Sequence, residues 1–150
     1  MILMNNKMLD LIKKQAIGNL RLNKKLSKIL DAGIECTEGC HFLQYFYQVN
    51  QQYSLNNFED HTAYECFING FHIEDYCTND IVQHAFIFAK KLAIMLNGKC
   101  KFKIIISTNN RKCCHVTFHS FHKDEIEWVA VEHLDSYSEC LAIFYNTHDN

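Results

Sequence analysis

The chain has 150 residues, 48% hydrophobic and 21% charged, with a formal net charge of −2. That length and apolar content suit one domain able to bury its own core; the composition argues against a disordered chain, and the net charge excludes a nucleic-acid-type excess of positive charge. The small net charge hides an asymmetry: residues 1–31 hold seven Lys/Arg against two acids, while the remainder holds eight against fifteen.

In chain order, Leu and Ile recur at three- and four-residue spacing over 3–17 and again over 20–31 (Leu9, Ile12; Leu22, Leu26, Ile29, Leu30), with lysines between them. This is the pattern of amphipathic helices, punctuated here by Gly18 and Gly33. Thr37 predicts the cap of a third helix over 38–53, with Phe42, Leu43, Phe46, Tyr47 and Tyr53 on its apolar side. Thr62-Ala-Tyr-Glu65 has capping-box spacing, and Asn69-Gly70 is a matching stop. From Asp80 to Leu96, Ile81, Ala85, Phe88, Leu92 and Met95 line one side of the strongest helix, ended by Asn97-Gly98.

Beyond Gly98 the pattern turns to strands. Lys101 to Ser107, with Ile104-Ile-Ile106, predicts a strand buried on both faces, and Asn109 to Lys112 a turn. Cys114 to Asp135 reads as a hairpin turning near Lys123-Asp124, which would pair His115 with Glu132, Thr117 with Ala130 and His119 with Trp128. Val116, Phe118, Val129 and Val131 would then share its apolar face. Cys140 to Tyr145 is a last apolar strand. The expected class is α+β: one domain spanning 1–150, its helical N-terminal half packed on a C-terminal antiparallel meander of about four strands.

Met1-Ile-Leu-Met is too short for a secretory signal, and no apolar run approaches the ~20 residues that span a bilayer. The expectation is a cytoplasmic protein with no membrane partner, whose eight cysteines are reduced and mostly buried.

Several residues could carry chemistry. Cys40, near the start of the helix expected after Thr37, would have its thiolate stabilised by free N–H groups and the helix dipole. A cysteine at a helix start, then a histidine on a strand, then a carboxylate on the next strand is the order of papain-like thiol enzymes. The roles would be Cys40 as nucleophile, His115 as general base, and Glu132 or Asp135 as the group orienting the imidazole, with His119 and Asp135 as the alternative pair. The plain reading sets Cys40 in the core beside Phe42 and His115 on a solvated strand.

Lys103-Ile-Ile-Ile-Ser107, His115-Val-Thr-Phe and Val129-Ala-Val-Glu132 resemble the His/acid hairpin of YopJ-type acetyltransferases and their adenain-like and deubiquitinating relatives, over roughly 35 residues. The resemblance implies His115 as base and Glu132 as its carboxylate. Those families place their cysteine well beyond the acid at a helix start, whereas only Cys140 follows here, so a truncated or inactive relative fits better than a working enzyme.

Cys36, Cys40 and His41 with Cys113, Cys114 and His115 carry zinc-ligating atoms, but their spacing departs from the tight paired knuckle, so neither metal nor cofactor is expected. Gly-rich phosphate loops and nucleic-acid-binding motifs are absent from the sequence. Tyr45, Tyr47, Tyr53, Tyr64, Tyr76, Trp128 and Tyr137 on an acidic body suit a protein-binding surface. The favoured expectation is a small bacterial protein-binding module of the toxin-neutralising, immunity type, acting on another protein. The alternative is a cysteine-dependent hydrolase or acyltransferase.

Overall fold

The computed structural model describes residues 1–14 and 20–146. Strands β1 (Ile2–Met4), β4 (Phe71–His72), β5 (Phe102–Asn110), β6 (Cys113–Ser120) and β7 (Cys140–Tyr145) form an antiparallel sheet in the order β1-β7-β5-β6-β4. Strands β2 (Ile34–Thr37) and β3 (Cys40–Leu43) form a separate hairpin. Helices α1 (Asn6–Ile12), α2 (Lys24–Asp31), α3 (Gln44–Tyr47) and α4 (His61–Asn69) precede the long α5 (Ile81–Leu96). The class is α+β, with helices mostly in the N-terminal half and strands mostly in the C-terminal half.

Strand β5 is central because its sequence allows nothing else. Phe102, Ile104 and Ile106 are buried toward α5, whose Ala85, Phe88, Ala89 and Leu92 are fully buried against the same core. Ile105 is buried on the opposite face with Leu134, Leu141 and Ile143. A strand greasy on both faces must be covered on both, and each fully buried Leu, Ile or Phe contributes roughly 1.5–3 kcal/mol. Neighbours β6 and β7 complete its hydrogen bonding, with Ile104 opposite both Phe118 and Phe144.

The 38–53 helix is replaced by the β2–β3 hairpin and the single turn of α3. Glu38 and Gly39 both take positive φ, 52° and 77°, the backbone of the tight turn whose twist matches paired strands. Thr37 is the last residue of β2, paired with Cys40, and caps nothing. At the N-terminus, Ile2–Met4 join the sheet as an edge strand, and helix begins only at Asn6. The remainder of the helix expected over 3–17 lies partly outside the described residues, as does Gly18.

The expected hairpin over 114–135 does not form. β6 pairs with β5 through the short turn after Asn110, so His119 faces Lys103, Thr117 faces Ile105 and His115 faces Ser107. Its other edge is taken by β4 at Phe71 and His72, leaving residues 128–132 no strand to join. They run instead as coil into a 3-10 turn, Val131–Ser136, with Val129 at φ 62°. Val116 and Phe118 enter the main core, while Val129 packs with the second cluster beneath the sheet, so the four do not share one face.

Candidate functional site

The proposed thiol site is not assembled. Cys40 lies on β3 with no exposed surface, its Sγ 4.0 Å from the His61 carbonyl. Burial, then the charges of Glu65, Glu125 and Glu38, push its thiol up to about 12, the reverse of an activated nucleophile. His115 packs its ring 5.1 Å from that of His72, beside Gly70, and burial lowers its pKa. Glu132 is exposed on the 3-10 turn. Asp135 Oδ1 accepts the Asn6 backbone N–H at 2.8 Å, satisfying a free donor at the start of α1. Among the described residues, no bond joins any two of Cys40, His115, Glu132 and Asp135. Cys36, exposed on β2, and the Cys113–His115 run on β6 likewise fall in no metal-spaced group.

A different set of residues is brought together where β3, the start of α4 and the turn after β6 meet. Asp60 caps α4 by accepting the Ala63 N–H, which sets His61 in its first turn. Glu65, one turn on, points into the protein with no exposure and does not close the capping box its spacing suggests. Its Oε2 accepts the His41 N–H at 2.8 Å and the Ser120 hydroxyl at 2.5 Å. Its Oε1 accepts the Ser120 N–H at 3.1 Å and His122 Nε2 at 2.5 Å. The Thr62 amide that a capping box would involve is bound by Glu125 Oε1 at 2.8 Å, and the Thr62 hydroxyl donates to the same oxygen at 2.9 Å. Glu125 Oε2 accepts from His61 Nδ1 at 2.6 Å.

The His61 and His122 rings stack, centroids 4.9 Å apart and 24° from parallel. Each imidazole is thus held by its own carboxylate. Burial opposes a proton on His122, but the Glu65 hydrogen bond and the charges of Glu65, Glu125 and Asp60 outweigh it and raise its pKa. Glu125 is held below the usual carboxylate range: burial alone would raise it, and the Thr62 and His61 hydrogen bonds overcome that. Ligand atoms of Cys40, Glu65 and His122 all lie within 4.8 Å of one another, and so do those of His61, His122 and Glu125. The sequence clues were His61-x3-Glu65, one face of a helix, and His122-x2-Glu125; neither shows that the two segments meet.

The segment after β6 forms a second feature. Lys103 is almost wholly buried on the sheet face away from α5, its Nζ 2.6 Å from Glu127 Oε1 and 3.2 and 3.1 Å from the carbonyls of Trp128 and Val129. His119, its cross-strand neighbour, donates from Nδ1 to the Ser120 carbonyl at 2.9 Å and accepts the Trp128 N–H at Nε2, 3.4 Å away. Tyr137 OH accepts the Ala130 N–H at 3.0 Å. This tethered loop leaves Ile126 84% and Trp128 44% exposed. Residues 123–139 carry six acids (Asp124, Glu125, Glu127, Glu132, Asp135, Glu139) against Lys123 alone.

No helix among the described residues is long and apolar enough to cross a membrane. Neither a curated protein nor a solved structure matches the chain. A family match does cover residues 3–150, nearly all of it, and on that match the chain belongs to the Uncharacterized protein PM0498 family.

Proposed function

We propose that the chain is a protein-binding module, of the toxin-neutralising inhibitor kind, that engages a basic partner through the segment 123–139. The observation that carries this reading is the presentation of Ile126 and Trp128 on a backbone tethered from below by Lys103 and His119. Large apolar side chains on a pre-ordered loop make strong contacts, because little conformational entropy is lost on binding. The surrounding carboxylates favour a positively charged partner and speed its encounter. Cys40, the nucleophile on which the enzyme alternative rests, has no exposed surface, which weighs against that alternative.

The test is binding to the purified basic product of the neighbouring gene, measured by calorimetry. Trp128→Ala and Ile126→Asp should each weaken the complex by about 2 kcal/mol or more, roughly 30-fold, the range of interface hot spots. A complex formed equally well by both variants, or none with any neighbouring product, rejects the reading.

A further inference from the structure

We propose that His61, His122 and Glu125 form a binding site for one zinc-class divalent cation, open to solvent at its fourth position. The inference stands on its own geometry and does not need the protein-binding reading, although Glu125 belongs to the segment assigned to the partner.

The donor set is two imidazole nitrogens and one carboxylate oxygen, all within 4.8 Å of one another. Imidazole and carboxylate donors suit zinc and its transition-metal neighbours, and three protein ligands leave one tetrahedral position for water. Bonds of about 2.0–2.1 Å place tetrahedral ligand atoms ~3.3 Å apart, so side-chain shifts of the order of 1 Å close the set. His61 Nδ1 and Glu125 Oε2, now 2.6 Å apart in a hydrogen bond, would separate by less than that. The backbone need not move: His61 is fixed by the α4 start, and Glu125 by its two bonds to Thr62.

The supporting shell is already present. Glu65 binds His122 at Nε2, so the cation would take His122 through Nδ1, the arrangement in which carboxylates commonly hold metal-bound histidines; Thr62 holds Glu125 through its second oxygen. The overlapping set Cys40, Glu65 and His122 is the poorer site. Cys40 and Glu65 have no exposed surface, and Glu65 already accepts four hydrogen bonds that tie β3 and β6 together. The outer set has an entry path, because the His61 side chain is 35% exposed. Bound there, a cation would join the 121–130 loop to the start of α4 through Glu125 and His61.

The test uses the full chain stripped with EDTA and titrated with zinc sulfate in a calorimeter. One equivalent should bind with sub-micromolar affinity. His61→Ala and Glu125→Gln should each weaken it at least about 100-fold, beyond the 10- to 100-fold cost of losing a group that only orients a ligand. The double variant Cys36→Ser/Cys113→Ser, removing partly exposed thiols, should bind as the parent does. Cobalt substitution should give the spectrum of nitrogen and oxygen ligands, without thiolate-to-metal charge transfer. Near-ultraviolet circular dichroism checks that both ligand variants stay folded; Glu125→Gln keeps the volume of the original side chain. Binding only at millimolar zinc, binding indifferent to both ligand variants, or a charge-transfer band abolished by Cys40→Ser would overturn the proposal.

Discussion

Glu65 and Asn69, one turn apart on α4, bind the edges of two strands that never pair with each other. Asn69 Oδ1 accepts the Leu43 N–H at 2.8 Å, and its Nδ2 donates to the carbonyls of His41 and Phe118, each at 3.1 Å. Glu65 accepts the N–H groups of His41 and Ser120. Two side chains thus stand in for a missing strand between β3 and β6, satisfying backbone groups that burial would otherwise leave bare.

Replacing Asn69 by Leu should therefore cost far more than its size suggests. Three buried backbone groups lose their partner, each worth about 1–3 kcal/mol, so the loss should reach about 3 kcal/mol or more. Urea unfolding of Asn69→Leu measures it. A cost under about 1 kcal/mol would show that water or a local shift replaces the amide.

Lys103→Met should loosen the loop more than it destabilises the fold. Two carbonyls lose a charged donor, but Glu127, half exposed, can turn to water, so the cost should stay at about 1–3 kcal/mol. Amide exchange at Ile126 to Ala130 should accelerate while that of β5 and β7 holds. Unchanged protection at Trp128 would mean that His119 alone fixes the loop.

Stability should fall on the acid side of neutrality. Burial lowers the pKa of His41, His84, His115 and His119, so each binds a proton less readily folded than unfolded. Their contribution is complete above the ordinary histidine value of 6.5 and is lost as pH drops below it. His122 runs the other way: its raised pKa contributes below 6.5 and fades as pH rises through the folded value. Four against one, the urea midpoint should drop from about pH 7 to about pH 5. His119→Gln should flatten that slope; a midpoint rising toward pH 5 would contradict the assignment of neutral, buried imidazoles.

Thiol labelling should divide the cysteines by burial. Cys36, exposed on β2, should react with iodoacetamide in the native protein, whereas Cys40, Cys66 and Cys114 should react only after unfolding. Fast native labelling of Cys40 would restore the thiol-enzyme reading.

Local pattern determined much of this protein. Helix α5 has an unbroken apolar stripe and a Gly98 stop, and the apolar runs Ile104–Ile106 of β5 and Leu141–Phe144 of β7 are buried throughout. Those segments can satisfy their burial in only one kind of element, so periodicity suffices to place them. The segment 34–43 was ambiguous because Thr37 is a good helix cap while Glu38-Gly39 also makes a hairpin turn; pairing with β3 decided between them. The alternation of 115–119 was real, but alternation does not name a partner strand, and β5 offered the nearer and greasier one.

The cluster itself could be decided only by the tertiary structure. Its side chains come from residues 40–41, 61–65 and 120–125, and nine histidines distributed along a sequence do not show which two will stack. What selects them is the packing of α4 against β6, which buries Glu65 and so obliges His122, Ser120 and His41 to gather around its carboxylate. Composition and periodicity set the elements and the class; the cost of burying one charge, paid through contacts distant in sequence, set the site.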